Sequence, residues 1–226
     1  MAGRRVSWCD LVRASILALG VCGGVTACTG SFFRSKAVPQ STYLLSAPPG
    51  VTAAASSAPA APAPIAADLA VLKPRVRAGL DTDRIAVLYP DRRLDYFADA
   101  RWSGPLDDVV QDLAVQAFRN GAGLRNVSSD ASAFASGYWL EIEIADFQAE
   151  YPSLGAPPTI NVRLLARVAS AGDRNILGSF AAGARQTATD NRLTAIVEAY
   201  EHAVNSALVE IVGGTSRTLT EALQHR

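Results

Sequence analysis

Two side chains that often carry chemistry near neutral pH are scarce in this chain: 226 residues include two histidines and three cysteines. His202 lies roughly opposite the apolar stripe of the helix predicted around it, and His225 is the penultimate residue. Without a second well-placed histidine or a cysteine, neither completes a zinc spacing or a Cys/His nucleophile pair. Charge of one sign is missing too. The 21 Lys+Arg residues balance 21 Asp+Glu, the formal net charge is zero, and no basic block breaks that balance. Nucleic-acid binding, which rests on clustered cations neutralising phosphates, is disfavoured. An apolar run of membrane-spanning length is also lacking at the N-terminus. Ala14–Ala27 carries no charge, but it holds about 14 residues, where a helix needs about 20 to cross ~30 Å of hydrocarbon.

What that run does suit is the core of a secretory signal, with Arg4, Arg5 and Arg13 as its basic flank. A buried soluble helix is the competing reading, and Gly20, Gly23 and Gly24 argue against it, because glycine weakens helix interiors. Val25-Thr26-Ala27-Cys28 then resembles the bacterial lipoprotein processing box. A thiolate can be alkylated by a lipid donor, and small preceding side chains let a peptidase reach the bond before it. An ordinary signal peptide with a chance cysteine is the alternative. Cys9 and Cys22 fall inside the segment that would be removed, which leaves Cys28 as the mature cysteine. An intramolecular disulfide or a cysteine metal site is then impossible. The expected attachments on Cys28 are diacylglycerol and an N-acyl chain, since stable anchoring takes more than one chain at ~0.8 kcal/mol per buried CH₂. Thr29 stands where an aspartate is the familiar inner-membrane retention signal, so the outer membrane is the expected destination.

Removing the signal leaves about 200 residues, enough for one domain and a tether. The expected parts are a signal at 1–27, a lipidated tether at 28–66, a folded domain at 67–214 and a polar tail, frayed or weakly helical, at 215–226. "STYLL" (41–45) is a short strand candidate within the tether, and the Ala/Pro/Ser stretch after it cannot bury a core. "LAVLKPRV" reads as a strand with Pro74 at an edge or bulge. "RIAVLY", with Ile85, Val87 and Tyr89 on one face, pairs with "LDYFAD" as a hairpin. Leu106, Val109, Val110, Leu113 and Ala117 keep helical spacing, with Asp107 and Asp108 early and Arg119 and Gly121 late. "GYWLEIEIADFQAEY" alternates, then slips phase by one, which predicts a bulge near Ala145-Asp146. "TINVRLLARVA" alternates again, so its arginines can pair with the preceding glutamates across a wet face. "ILGSFAAGARQTA" returns as the next strand. A second helix follows, with Leu193, Ile196, Val197, Tyr200, Val204, Ala207, Leu208 and Ile211 as its stripe and Gly213-Gly214 as its stop. The expected architecture is α+β: a mostly antiparallel or mixed sheet with two helices packed on one face.

No pattern supports catalysis. Asp81 and Asp83 in "GLDTDR" are followed by Ile85 and Val87, where an oxygen cage would need further ligands. Gly121 and Gly123 follow a helix, whereas a phosphate loop precedes one. Asp107 and Asp108 diverge by ~100° around the helix. No catalytic residue, metal ligand or cofactor is expected beyond the lipid on Cys28. Tyr96, Phe97 and Trp102 cluster at the hairpin-to-helix junction. They are candidates either for core packing or for a partner or lipid contact.

The processing box, "YLL", "LAVLKPRVRAGLDTDRIAV", "RLDYFADARWSGPLDDVVQDLAVQAF" and "LEIEIADFQAEY" together resemble the ABC-type transport auxiliary lipoprotein family, which includes paraquat-inducible protein C. The resemblance spans about Tyr43 to Gly214, interrupted by the Ala/Pro stretch. It implies an outer-membrane lipoprotein facing the periplasm, without catalytic activity, beside a mammalian-cell-entry (MCE) protein, an inner-membrane permease and an ATPase. Such systems move phospholipid or other hydrophobic molecules, and the lipoprotein would organise the outer end, in one arrangement as a ring of copies. Two other readings stay open: a periplasmic lipid-binding module, and an envelope-assembly lipoprotein with no transport link. Cys28→Ser is expected to abolish acylation and leave the precursor uncut. Incorporation of labelled fatty acid checks this, and uptake undiminished in the variant would refute the anchor.

Overall fold

A computed structural model describes residues 40–48, 64–129 and 136–225. In chain order the elements are β1 (Ser41–Tyr43), β2 (Ile65–Val71), β3 (Arg75–Val76), β4 (Arg84–Leu88), β5 (Leu94–Trp102), α1 (Leu106–Gly121), β6 (Leu124–Ser128), β7 (Tyr138–Glu150), β8 (Thr159–Ser170), β9 (Ile176–Thr187) and α2 (Leu193–Gln224). The signal segment, Cys28 and 49–63 of the Ala/Pro stretch lie outside the described residues.

The nine strands among the described residues belong to one mixed sheet organised around β7. On one flank β8 pairs with β7 antiparallel from Tyr138 to Glu150, and β9 pairs antiparallel with β8. On the other flank three short strands lie end to end, all parallel to β7: β2 beside Tyr138–Leu140, β3 beside Glu143 and Ile144, and β4 beside Ala149 and Glu150. β6 adds outside β2, while β5 and then β1 add outside β4. The expected strand around Leu69–Val76 is thus split at Pro74, which has no N–H to give the ladder. Val71 pairs with Leu140 and Arg75 with Glu143, so one extra residue is accommodated there. Gln111 of α1 donates its amide to the Val71 carbonyl at 3.0 Å, supplying a partner beside the break.

The predicted bulge in β7 is present. Ile144 pairs with Leu164 and Asp146 with Arg163, so Ala145 is the extra residue. A one-residue insertion in a period-two strand swaps faces, and this is why Ile144 and Phe147 are both buried. Ile160, Val162, Leu164, Ala166 and Val168 line the same dry face, as their alternation predicts. Both helices cover it: α2 packs on β8 and β9, α1 on β2, β3 and β6, and the two helices touch. Trp102, Phe147 and Tyr200 meet at the centre. Trp102 stands edge-on to Tyr200 at 5.0 Å and to Phe147 at 6.0 Å, and Phe147 stacks on Tyr200 at 5.3 Å. The Tyr200 hydroxyl donates to the Ala86 carbonyl at 3.0 Å, so its polar end is satisfied without water.

Four readings change. Ser41–Tyr43 is a strand of the sheet, Tyr43 pairing with Trp102, and Leu45 behind it is buried. Ile85, Ala86 and Val87 are all buried, so β4 is covered on both faces and not only on the one that carries Ile85 and Val87. Residues 124–128 form β6, a strand whose composition shows no alternation. The largest correction concerns α2, which does not stop at Gly213-Gly214 but runs 32 residues to Gln224, about 48 Å at 1.5 Å per residue. Thr215 and Leu219, expected in a polar tail, are fully buried. The glycine at 214 is a packing notch: a Cβ there would sit 2.5 Å from Cε2 of Phe180 on β9. One position earlier a Cβ would meet nothing within 4 Å. Gly213→Ala is therefore expected to raise stability by roughly 1 kcal/mol through helix propensity. Gly214→Ala is expected to lower it by about 1–3 kcal/mol through overpacking. Urea denaturation of both variants checks the opposite signs.

Candidate functional site

The structure separates the three aromatic candidates. Trp102 is 2% exposed and belongs to the core, while Tyr96 and Phe97 are half-buried at its rim. The cause is a kink in β5. Arg84 pairs with Arg101 but Ala86 pairs with Tyr96, so β5 advances five residues while β4 advances two. Trp102 is turned under the helices, and the other two rings stay outside. The Tyr96 hydroxyl donates to the Gly79 carbonyl at 2.8 Å, and the Arg84 guanidinium lies 4.4 Å above its ring. A Trp102 surface contact is therefore not available; any contact falls to Tyr96 and Phe97. Cys28 lies outside the described residues.

The other residues weighed for chemistry have structural partners or open positions. Asp107 and Asp108 clamp Lys73 at 3.0 and 2.8 Å, tying the split strand to the start of α1. Asp83 faces Arg101 at 3.8 Å, Gly123 takes φ +62° to enter β6, and His202 and His225 are exposed. Among the described residues no three His, Cys, Asp or Glu side chains gather as a metal site, and no helix is long and apolar enough to cross a membrane.

Two surfaces remain. The first is the face of β7 and β8 turned away from the helices, a ladder of fixed charges. Glu141 accepts from Arg75 and Arg167, each at 3.0 Å, which realises the glutamate–arginine pairing read from alternation. Arg77 donates to the bulge carbonyl of Ala145 at 3.1 Å and to Asp146 at 3.0 Å. Glu150 accepts from Asn161 at 2.8 Å, Gln148 at 3.1 Å and Arg185 at 2.6 Å. Burial pushes the Glu150 carboxyl up, but these three donors outweigh it and hold the group below its ordinary range. Exposed pairs of this kind contribute at most about 1 kcal/mol each; their main effect is to hold the bulged register.

The second surface is a groove of ≈ 750 Å³ between the last turns of α2 and the start of β2. The last turns of α2 form one wall, and the start of β2 with the end of α1 forms the other. Ile65, Ala66, Ala122, Val212 and Leu223 make it apolar, and Arg217 stands on its rim. It exists because α2 continues past Gly214, so the sequence reading, which ended the helix there, had no wall from which to see it.

A family described as the ABC-type transport auxiliary lipoprotein component matches residues 43–212, from the end of β1 deep into α2. The chain belongs to this family. Among solved structures, the chain is similar to a protein from Xanthomonas campestris at 22% identity and TM-score 0.69, covering 81% of this chain and 99% of that one. A second crystal structure, of an uncharacterised protein, matches at 14% identity and TM-score 0.53, over 80% and 98% of the two chains. These likenesses establish the fold. No curated protein sequence matches.

For this auxiliary lipoprotein component, the depressed Glu150 carboxyl has a pH signature. A group whose folded pKa lies below its unfolded one stabilises the fold at higher pH and loses that contribution as pH falls through both values. Stability is expected to fall below the ordinary glutamate pKa of 4.5. Glu150→Gln should be less stable at neutral pH and show a shallower decline in acid; parallel curves for the two proteins would reject the assignment.

Proposed function

We propose that the protein is a non-catalytic outer-membrane lipoprotein, anchored through acylated Cys28, that serves an MCE-associated ABC transporter moving phospholipid or another hydrophobic substrate. The observation that carries this reading is the family match, which spans residues 43–212 and so takes in β2 to β9, the first helix and the N-terminal part of the second. The inner-membrane permease and ATPase supply energy, the MCE protein supplies the conduit, and this chain holds the outer end in place, several copies forming a ring. The fold suits a positioning role. The charges of the sheet face are engaged with one another, and the core is closed around Trp102 and Tyr200. Thr29, in place of an aspartate after the lipidated cysteine, favours the outer membrane.

A second reading draws on the ≈ 750 Å³ groove: a lipid-binding module that holds an acyl chain against Ile65, Val212 and Leu223. Lipid co-purifying with the wild type and lost in Val212→Asp, by mass spectrometry, would favour it. An envelope-assembly lipoprotein without a transport partner is the remaining alternative. Affinity capture from detergent extracts at native expression separates it from the leading reading. The MCE protein should be recovered with the wild type, and its consistent absence would remove the transport assignment.

A further inference from the structure

Where β4 turns into β5 and β7 into β8, the molecule displays side chains the core does not use. Between β7 and β8 the Ala156 N–H donates to the Ser153 carbonyl at 3.3 Å, and Gly155 has φ +86°. This is a type II turn with Leu154 at its first corner. Leu154 is 83% exposed, and a Cβ at Gly155 would meet nothing within 4 Å, so the apex stands clear of the domain. Pro152, Pro157 and Pro158 stiffen the loop. At its base Tyr151 stacks on Tyr89 of the neighbouring turn at 5.8 Å, and the Arg93 guanidinium lies 4.7 Å over Tyr89. Asp91 uses a carboxylate oxygen to accept from the Arg93 N–H. Arg92 beside it is exposed.

The start of β1 faces this end. β1 runs parallel to β5, with Ser41 beside Ala100, and the Gln40 amide donates to the Ala98 carbonyl at 3.4 Å. Since β5 runs away from the β4–β5 turn, Gln40 is the end of β1 nearer that turn. Cys28 precedes Gln40 by twelve residues, a reach of no more than ~40 Å. We propose that the Leu154 turn touches the bilayer in which Cys28 is anchored. Leu154 enters the acyl boundary, Tyr89 and Tyr151 lie at headgroup level, and Arg92 and Arg93 face lipid phosphates. This inference rests on acylation of Cys28. A leucine with two tyrosines binds a bilayer weakly alone, but a tether holds them at millimolar effective concentration, where a weak contact suffices to orient the domain. Tyrosine rings, with an apolar body and a polar tip, suit the interface, and cations near it are drawn to anionic lipid.

The test uses the full acylated chain carrying Leu154→Cys, in which the substituted cysteine is the free thiol once Cys28 is thioether-linked. A nitrobenzoxadiazole label at 154 is compared with one at Gly172→Cys, in the turn between β8 and β9 at the opposite end of β8. Both proteins are placed in phosphatidylethanolamine/phosphatidylglycerol vesicles containing nitroxide-labelled lipid. The label at 154 should be quenched at least threefold more than the label at 172. Equal quenching in vesicle-bound, acylated protein overturns the membrane contact and leaves the anchor intact. A label at 154 that ignores lipid but is shielded by added envelope proteins overturns it in favour of a protein surface. Intact mass showing Cys28 unmodified removes the anchor, and this inference with it.

Discussion

The structure depends on β7 being hydrogen-bonded on both edges and buried on one face. Its full-length pairing with β8 and its sequential pairing with β2, β3 and β4 join segments far apart in sequence into one sheet. Because its residues alternate between dry and wet faces, any extra residue would turn the following side chains outward. Two irregularities keep the pattern coherent: Ala145 in β7, and the break at Pro74 across the ladder. Arg77 holds the first through the Ala145 carbonyl, and Gln111 supports the second at Val71.

With that sheet in place, α2 brings the longest buried stripe. Its N-terminal half places Tyr200 among Trp102 and Phe147, and its C-terminal half rides closely over β9 where Gly214 meets Phe180 and Gly178 meets Thr218. A helix this close to a sheet can be extended past the sheet's end. That overhang builds the apolar groove with β2 and α1. The chain carrying this fold belongs to the family of ABC-type transport auxiliary lipoprotein components.

Much of the fold was legible because burial on one face writes a period into the chain. The alternation of β7 and β8, the phase slip at Ala145, the stripe of α1 and most of the stripe of α2 were readable on that ground. The candidate site was less so. Trp102 and Phe97 look alike as composition, and the kink in β5 that buries one and leaves the other at the rim depends on pairing with β4. β6 was missed because a short parallel strand at the edge of β2 has no clean alternation to show. The glycine pair at 213–214 was misread because a helix stop and a close-packing notch use the same residue for different reasons: freedom of φ in one, absence of a Cβ in the other.

By itself, then, the sequence determined the scarcity of histidine and cysteine, the processing-box pattern at Cys28 and the amphipathic periods that demand a half-wet sheet under two helices. These are local properties, set by composition and by spacing of two or 3.6 residues. The tertiary structure alone decided which strands pair, that β1 belongs to the sheet, that α2 passes through Gly214, and which aromatics face water. Those outcomes depend on contacts between residues distant in the chain, such as Tyr200 with Ala86 and Gly214 with Phe180, and no local period encodes them.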